Sequence, residues 1–311
     1  MLENKRYSDI PILDTNQLEI ELIGKGGVPD SLIRSKIHQY FHINRVEDYF
    51  RMVQFPLPSD LQPRRITVYS FFFLTKGISS RSSGLDTYDF GENTFYFTPA
   101  QQITTHRFVR KDVEGFYCHF SIEIFAQKTP TKELFAEFPF LEFNAYPLVI
   151  INETIRKYVG DLLERLLAEY TNEKECRIDI LRTYLLALFT ELKPFVKTSK
   201  PQKLNSAGQI TEQFKRALTI HISDKFKITD YADLLNISSN HLNKCVKATT
   251  GKSALDLLNE MLLLEAKVLL KQTDLTVTEI AYKLGKNEIG NFARFFKSQT
   301  GMRPSEYRLM T

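Results

Sequence analysis

A pattern that occurs twice in the last third of the chain constrains the fold more than any other feature. The first copy covers residues 228–251 and the second covers residues 277–301. Each copy has two short runs in which apolar residues recur three or four positions apart, the spacing of one helix face. Asn236 or Gly285 lies between the runs, and both residue types tolerate the left-handed backbone of a sharp turn. Each copy is therefore predicted to be a helix-turn-helix unit. The equivalent positions are Thr229, Ala232, Leu235, Leu242, Val246, Lys247, Thr250 and Gly251 in the first copy, and Thr278, Ala281, Leu284, Phe292, Phe296, Lys297, Thr300 and Gly301 in the second.

The segment between the two copies, residues 253–271, is predicted to form one long helix. It contains no Gly or Pro and is rich in Leu, Met, Ala, Glu and Lys, which are strong helix formers. Such a helix is about 28 Å long, at about 1.5 Å per residue. One turn of DNA is about 34 Å, so a rod of this length can present two helices to successive major grooves on one face of a duplex.

Positive charge is concentrated in the same part of the chain. The formal net charge is +4, and residues 205–311 carry 15 Lys and Arg against 11 Asp and Glu. Residues 1–204 carry 26 charges of each sign. The whole excess therefore lies on the segment with the duplicated pattern, as a phosphate-binding surface requires.

The second copy and the residues after it carry a family signature. Residues 276–285 read TVTEIAYKLG, and residues 291–308 read NFARFFKSQTGMRPSEYR. They resemble the DNA-binding domain of the AraC/XylS family of bacterial transcription regulators. The resemblance implies a sequence-specific regulator, not an enzyme, that binds double-stranded promoter DNA as a homodimer, with RNA polymerase as a further partner. The alternative is a helical bundle whose duplication is only structural. The matching residues are Ile280, Ala281, Gly285, Phe292, Arg294, Phe296, Lys297, Gly301, Pro304 and Tyr307.

The second helix of each unit is predicted to be a recognition helix that enters the major groove. Asn pairs with adenine, and Arg or Lys with guanine, so polar residues on the outer face of this helix suit base contacts. A solvated helix face is the alternative. The buried faces are assigned to Leu242, Cys245 and Val246 and to Phe292, Phe295 and Phe296. The predicted DNA contacts are Ser239, Asn240, Asn243, Lys244, Lys247, Asn287, Asn291, Arg294 and Lys297.

The family's base-contacting positions map to Asn240, Asn243 and Lys244, and to Gly290, Asn291 and Arg294. Three departures from the family pattern concern the second unit and the connecting helix. Lys286 replaces an aromatic residue, a leucine near Leu262 replaces an arginine, and Gly290 supplies no side chain where many relatives place a base contact. Whether the second unit reads bases is therefore left open.

Residues 64–125 change to a period of two. Strands are predicted over 66–77, within 86–109 and over 115–125, separated by turns such as 77–84. Short strands at this spacing predict an all-β sandwich or small barrel. The resemblance implies a cupin-like β-barrel that senses a small molecule, over residues 1–150. The predicted fold class of the whole chain is therefore α+β.

Aromatic side chains in these strands are candidates for binding the effector, and the alternative is that they fill the core. A transition-metal site needs several converging ligands, and His106 and His119 lie on separate strands. We therefore expect no metal and no cofactor. The effector-binding candidates are Tyr69, Phe71, Phe73, Tyr88 and Phe97.

Residues 151–196 are predicted to form two amphipathic helices, residues 197–209 a linker, and residues 210–311 the DNA-binding domain. The helices carry apolar stripes that either pack on the β region or form a dimer face, as in relatives that dimerise through these helices. Towards the N-terminus, a strand is predicted within 12–23, a helix over 31–50 and a loop over 55–63. The stripe residues are Ile155, Val159, Leu162, Leu163, Leu166 and Tyr170, and Ile178, Leu181, Leu185, Leu188 and Leu192.

The chain has no run of about 18 apolar residues and no apolar signal-peptide core, and its three cysteines lie far apart. We therefore expect a cytoplasmic protein without a membrane partner. Two functions remain open: a regulator controlled by a small-molecule effector in the β-domain, and an effector-independent regulator whose β-domain only mediates dimerisation. A cupin-type enzyme with an appended DNA-binding domain is disfavoured, because the sequence has no cluster of His.

Overall fold

A computed structural model gives the architecture of residues 40–48, 62–109, 112–126, 131–172, 176–196, 205–286 and 289–310. A β region comes first and a helical region last, with a helical hairpin between them. The strands are β1 (Phe41–Arg45), β2 (Arg64–Arg65), β3 (Tyr69–Lys76), β4 (Ser79–Ser83), β5 (Asp86–Phe90), β6 (Thr94–Thr98), β7 (Ile103–Val109), β8 (Glu114–Phe120) and β9 (Leu148–Ile150). The helices are α1 (Glu123–Ala126), α2 (Thr131–Glu137), α3 (Glu153–Tyr170), α4 (Ile178–Leu192), α5 (Ser206–His221), α6 (Ile228–Leu234), α7 (Ser239–Thr250), α8 (Ala254–Gln272), α9 (Val277–Lys283), α10 (Ile289–Thr300) and α11 (Pro304–Leu309).

The strands form two antiparallel sheets, in place of the cupin-like β-barrel that the family resemblance implies. The first sheet has the strand order β1-β8-β3-β6-β9, and the second has the order β2-β7-β4-β5. In the first sheet, Phe71 of β3 lies opposite Phe97 of β6 on one side and Cys118 of β8 on the other. Among the described strands, no ladder of hydrogen bonds joins the two sheets. The mixed α and β content is as predicted, and the barrel is corrected to two sheets.

Strand β4 corrects the prediction of a turn over residues 77–84. Its sequence, SSRSS, lacks the β-branched and aromatic residues that usually indicate a strand. Pairing with β5 on one side and β7 on the other holds it in the second sheet. Its Arg81 is buried, with the guanidinium carbon 3.4 Å from the centre of the Phe72 ring. Cross-strand partners and a cation–π contact therefore fix a segment with little strand propensity of its own.

The first sheet buries a different set of side chains on each face, because successive residues of a strand point to opposite sides. One face packs against α3 and α4 in a single cluster. The other face, which includes Phe72, Tyr96 and Tyr117, packs against Tyr88 and Phe90 of the second sheet. The helix-facing set is Phe71, Phe73, Phe95, Phe97, Phe116, Cys118 and Phe120.

The apolar stripes of α3 and α4 supply the other half of the helix-facing cluster. Val159, Leu163 and Leu166 of α3 are fully buried there, as are Leu181 and Leu188 of α4. Within one chain, these apolar stripes therefore pack on the β region. Any contact between two chains through this hairpin has to use the outer sides of the two helices.

The N-terminal part of the β region departs from the predicted helix over residues 31–50. Residues Phe41–Arg45 form β1, which pairs with β8 at one edge of the first sheet. Buried Phe41 and Ile43 alternate with His42 and Asn44, a period of two that the helical interpretation overlooked. The predicted strand within 12–23, the rest of the predicted helix before Tyr40, and most of the predicted loop over 55–63 lie outside the described residues.

The helical region begins earlier than predicted. Helix α5 begins at Ser206, inside the predicted linker 197–209, because the Asn205 side chain accepts a hydrogen bond from Gly208 N at 2.8 Å and caps the helix. Helices α5 to α11 share one apolar cluster, which also includes Ile103 of β7. None of the described helices is long and apolar enough to cross a membrane.

Candidate nucleic-acid interface

Both predicted helix-turn-helix units are present. Helices α6 and α7 form the first unit, and α9 and α10 form the second. The turns contain Asn236 with φ 54° and Gly285 with φ 67°, which confirms the left-handed backbone predicted at both positions. Gly251 and Gly301, with φ 74° and 78°, follow the two recognition helices, α7 and α10. The two copies therefore fold alike, with the same turn chemistry at equivalent positions.

Gly285 also marks a contact between the two units. A Cβ atom added at this glycine would lie 2.4 Å from the ring of Phe226, which precedes α6 in the first unit. That distance is below any real carbon–carbon contact, so the ring occupies the space that a side chain would take. Glycine is therefore required here both for its backbone angle and for close packing.

The connecting helix α8 matches the predicted rod within one residue at each end. Ser253 caps it, and the side chain of Asp256 bonds back to Ser253 in a capping box. This hydrogen bonding lowers the pKa of Asp256. Leu262, the residue near the family's arginine position, is buried in the core of the helical region. At about 1.5 Å per residue, the 19 residues of α8 span about 28 Å.

The first recognition helix, α7, presents a basic outer face. Leu242, Cys245 and Val246 are buried, as predicted. Four of the predicted DNA contacts lie on the other side, where Asn240, Lys244 and Lys247 are exposed and Ser239 is half-buried. The helix has two lysines and no acidic residue. A face of this composition is suited to a negatively charged duplex.

Asn243 has a structural role that the sequence did not indicate. Its side chain is half-buried, and Oδ1 accepts a hydrogen bond from Ala254 N, the first residue of α8, at 3.0 Å. This bond satisfies one of the free N–H groups at the start of the connecting helix. Asn243 therefore ties the first recognition helix to the rod, whether or not it also contacts a base.

The second recognition helix, α10, holds its arginine in place. Asn291, Arg294 and Lys297 are exposed, and the helix has no acidic residue. Arg294 Nη2 donates to Asn291 Oδ1 at 2.6 Å, and Nε donates to Gly290 O at 3.3 Å. Asn287, the remaining predicted contact, lies outside the described residues.

The core of the second unit differs from the prediction at one aromatic residue. Phe292 and Phe296 are fully buried, but Phe295 is only half-buried. The ammonium group of Lys286 lies 5.1 Å from the centre of the Phe295 ring. The lysine in the family's aromatic position therefore covers this ring through a cation–π contact. Sequence reasoning also missed Ile289, which begins α10 and is exposed.

The effector-binding candidates do not line one space. Phe71, Phe73 and Phe97 are buried in the helix-facing cluster, and Tyr69 packs against it. Tyr88 lies on the second sheet and packs between the sheets, where burial raises the pKa of its hydroxyl. No group of three or more His, Cys, Asp or Glu within the described residues could hold a metal ion.

A row of buried polar side chains crosses the first sheet on the side that faces the second sheet. His42, His119, Ser70 and Thr98 are neighbours on β1, β8, β3 and β6. The rings of His42 and His119 stack with their centres 4.7 Å apart, and the hydroxyl of Tyr170 lies 2.8 Å from His42 Nδ1. Thr98 Oγ1 is buried and has no hydrogen-bond partner among the described residues. The sequence did not reveal this row, because its members come from four strands.

An interdomain interface joins the β region to α5 and α8. Arg65 of β2 is fully buried, and its Nη2 donates to Oε2 of Glu265 on α8 at 2.5 Å. Gln272 of the same helix accepts from Arg65 N at 2.7 Å and donates to Arg65 O at 3.1 Å. Lys215 of α5 donates to Asp86 of β5 at 2.5 Å. Burial lowers the pKa of Lys215, but the hydrogen bonds and negative charges of Asp86 and Glu212 together outweigh burial, so the pKa is raised.

Comparison with known protein families gives a match in the part of the chain that carries these units. A sequence model described as a helix-turn-helix domain matches residues 231–310. The uncharacterized HTH-type transcriptional regulator YfiF of Bacillus subtilis (strain 168) is 26% identical over 137 residues, which are 44% of this chain and 43% of that protein. The HTH-type transcriptional activator RhaS of Enterobacter sp. (strain 638) is 31% identical over 112 residues, 36% of this chain and 40% of that protein.

Among solved structures, ToxT from Vibrio cholerae is 14% identical, with a TM-score of 0.40, and the match covers 86% of this chain and 98% of that chain. The chain spans about two fifths of the length of the curated relatives given above. The matching helix-turn-helix model and the duplicated units both lie in the C-terminal region. Residues 231–310 therefore form a helix-turn-helix domain of the AraC/XylS type, and the chain is similar to HTH-type transcription regulators.

Proposed function

We propose that this chain is a sequence-specific transcription regulator that binds promoter DNA with α7 and α10 in successive major grooves. The observation that carries the proposal is the arrangement of two recognition helices on one rod. Each has two basic residues, no acidic residue and an exposed polar face. The rod is about 28 Å long, close to the rise of about 34 Å per DNA turn. A cytoplasmic location and RNA polymerase as a second partner belong to this proposal.

Lys244 and Arg294 are the residues assigned to base contacts in the two units. They occupy equivalent positions, two residues after the buried Leu242 and Phe292, and both are exposed. Bidentate contact with guanine suits both side chain types, and Arg294 is already oriented by Asn291. Lys247 and Lys297 lie one turn further along each helix and are assigned to phosphate contacts.

Selection from a random duplex pool by the full-length protein tests this function. We expect enriched sequences with two conserved blocks about one helical turn apart. Lys244→Ala and Arg294→Ala should each weaken binding to the selected duplex by roughly 1–3 kcal/mol, and should weaken binding to unrelated DNA less. Lys193→Ala removes one exposed positive charge outside the helical region and serves as the control. Equal losses on both DNAs would reassign the two residues to phosphate contacts.

The proposed regulator is controlled by a small polar effector that binds between the two sheets, against the polar row of His42, Ser70, Thr98 and His119. A buried hydroxyl without a hydrogen bond costs about 1–3 kcal/mol, and Thr98 Oγ1 is such an atom among the described residues. A ligand with a hydrogen-bonding group would satisfy it. The aromatic face of the first sheet is less suited to this role, because α3 and α4 already cover it.

A second function, regulation without an effector, is favoured by the shape of the described surface. Two open grooves run along α3, and neither is lined by the polar row. Thermal unfolding of the full-length protein with a panel of small polar compounds distinguishes the two functions. A binder present at 100 times its Kd should add about 2.7 kcal/mol to the free energy of unfolding, and Thr98→Val should reduce this gain. If no compound shifts the melting temperature, the effector-independent function is the better one.

The interdomain interface connects the β-domain directly to the helix that holds the DNA-binding units. Glu265 and Gln272 both lie on α8, the helix that holds the two units together, and both bind Arg65 of β2. Strand β2 pairs with β7 of the second sheet. A ligand that alters the spacing of the two sheets would therefore act on the rod through this contact.

The proposed homodimer uses the outer side of the α3–α4 hairpin. Tyr158 is 58% exposed there, beside the half-buried side chains of Leu162, Tyr184 and Ala187. Asp161 and Arg165 lie in the same groove, four residues apart on α3. If two copies of α3 pack in antiparallel orientation, the acid of one copy can face the base of the other.

A further inference from the structure

The two recognition helices begin with side chains of opposite character. Helix α7 begins with Ser239 and Asn240, whereas α10 begins with Ile289 and Gly290. Relative to the buried residues Leu242 and Phe292, these pairs occupy the same positions in the two units. The first turn of one recognition helix is therefore polar, and the first turn of the other is apolar.

Ile289 is not part of the core of the helical region. Its side chain is 49% exposed, although Phe292, one turn further along, is fully buried. It does not appear in the apolar cluster formed by α5 to α11. Burial within the described chain therefore does not account for an isoleucine at this position.

Gly290 makes the start of α10 accessible to a close neighbour. Among the described residues, a Cβ atom built at this glycine would meet no atom within 4 Å apart from its chain neighbours and its own helix backbone. Its φ is not in the left-handed region, so the backbone angle does not require a glycine here. Without a side chain at Gly290, the first turn of α10 can approach a surface more closely than a longer residue would allow.

The major-groove edge of DNA offers one apolar group, the 5-methyl group of thymine. The residues of a recognition helix that reach base edges come mainly from its N-terminal part. We propose that Ile289 contacts the methyl group of a thymine and selects that base in the half-site of the second unit. This inference rests on the proposed function, because it requires α10 to lie in the major groove.

The contact gives the two units different modes of base selection. The first unit has hydrogen-bonding side chains at Asn240 and Lys244, which suit polar base edges. The second unit combines the apolar side chain of Ile289 with the oriented guanidinium of Arg294. Gly290 contributes by letting the helix approach, so its lack of a side chain does not remove base selection from the second unit.

Single replacements of thymine by deoxyuridine, which lacks the methyl group, test this contact. They are made in the duplex selected by the full-length protein. Wild-type protein should lose about fourfold in affinity at one thymine in the half-site of the second unit, the factor that corresponds to one buried methyl group. Ile289→Ala should bind the thymine and deoxyuridine duplexes equally at that position, and Ile289→Val should keep most of the difference.

The matched control is Leu255→Ala, which shortens another exposed apolar side chain of the helical region, 54% exposed on α8, and should leave the sensitivity to deoxyuridine unchanged. Because Ile289 is exposed, its variants should melt at the temperature of the wild-type protein. The inference is overturned if no thymine in that half-site responds, or if Ile289→Ala retains the full response. A pool from which no sequence is enriched would overturn the proposed function itself, and the inference with it.

Discussion

Glu169 joins the two helices of the α3–α4 hairpin. Its carboxylate accepts hydrogen bonds from Arg177 N at 2.9 Å, from Arg177 Nε and Nη2 at 3.0 Å each, and from Arg165 Nη2 at 2.7 Å. The side chain of Arg177 contributes most, and together these donors lower the pKa of Glu169 to about 2 despite its burial. One side chain at the end of α3 therefore fixes the residue that precedes α4.

Replacing Glu169 with Gln should lower the free energy of unfolding by about 1.5–3 kcal/mol at pH 7, the usual contribution of hydrogen bonds to a charged group. The folded pKa lies below the ordinary value of 4.5, so the contribution is complete above pH 4.5 and is lost as the pH falls towards 2. Urea titrations at pH 7, 4 and 2.5 should show the difference between variant and wild type shrinking in that order.

Glu164→Gln is the control for this prediction. Glu164 lies on the same helix and pairs with Arg45, but it is half exposed, so its loss should cost at most about 1 kcal/mol. A difference between Glu169→Gln and wild type that does not change from pH 7 to pH 2.5 would contradict the assigned ionisation.

The sequence predicted the structural role of individual residues correctly where that role is determined by their neighbours along the chain. Asn236 and Gly285 were identified from their places between two helical runs, and the turn needs their backbone angles. Prediction failed where the reason comes from distant parts of the chain. Arg65 and Glu265 are 200 residues apart, and no spacing rule joins a β-strand residue to a helix residue at that distance.

At the scale of elements, periodicity found the long helices and missed two short strands. Helices α3, α4 and α8 have 15 to 19 residues, so their apolar spacing repeats several times and is unambiguous. Strand β1 has five residues, too few to separate a period of two from a helical pattern. The two cross-strand partners of β4 hold its serines and Arg81, and partners are not visible in a local pattern.

The α3–α4 hairpin is the element on which the proposed dimer depends. Tyr158→Glu places a charge in the outer groove, so the variant should become monomeric while its melting temperature stays unchanged, because Tyr158 is 58% exposed. Analytical ultracentrifugation over a range of concentrations measures the change. Weaker binding to the selected duplex should accompany the loss of the dimer.

Ile150→Glu provides the comparison for the dimer prediction. Ile150 is 50% exposed, but it lies on the edge strand β9, away from the groove. This variant should remain dimeric. If Ile150→Glu becomes monomeric and Tyr158→Glu does not, the interface between copies lies at the sheet edge instead.

At the scale of the whole molecule, the interdomain interface decides whether the β-domain and the DNA-binding units act as one body. The side chains of Arg65 and Glu265 are 0% and 4% exposed, so neither charge is stabilised by water. A buried ion pair contributes little net stability, but removal of one partner leaves the other charge buried alone. The ion pair itself adds little to the free energy that holds the two regions together. Separating the regions is costly mainly because it would leave one of the two charges buried without the other.

Replacing Glu265 with Gln should lower the free energy of unfolding by about 3–5 kcal/mol, because the buried Arg65 guanidinium then faces a neutral side chain in place of the Glu265 carboxylate. Calorimetry should show one transition for the wild type and, for the variant, an earlier transition of the helical region.

Glu260→Gln, which removes an exposed acid paired with Lys252 on the same helix, should cost at most about 1 kcal/mol. The double variant Arg65→Met with Glu265→Leu removes both charges, so it should recover most of the lost stability, and α8 then keeps only the bonds from Gln272 to the main chain of residue 65 as its polar link to β2. If Glu265→Gln unfolds like the wild type, the ion pair does not couple the two regions, and regulation would have to act through the Lys215–Asp86 contact or through the dimer.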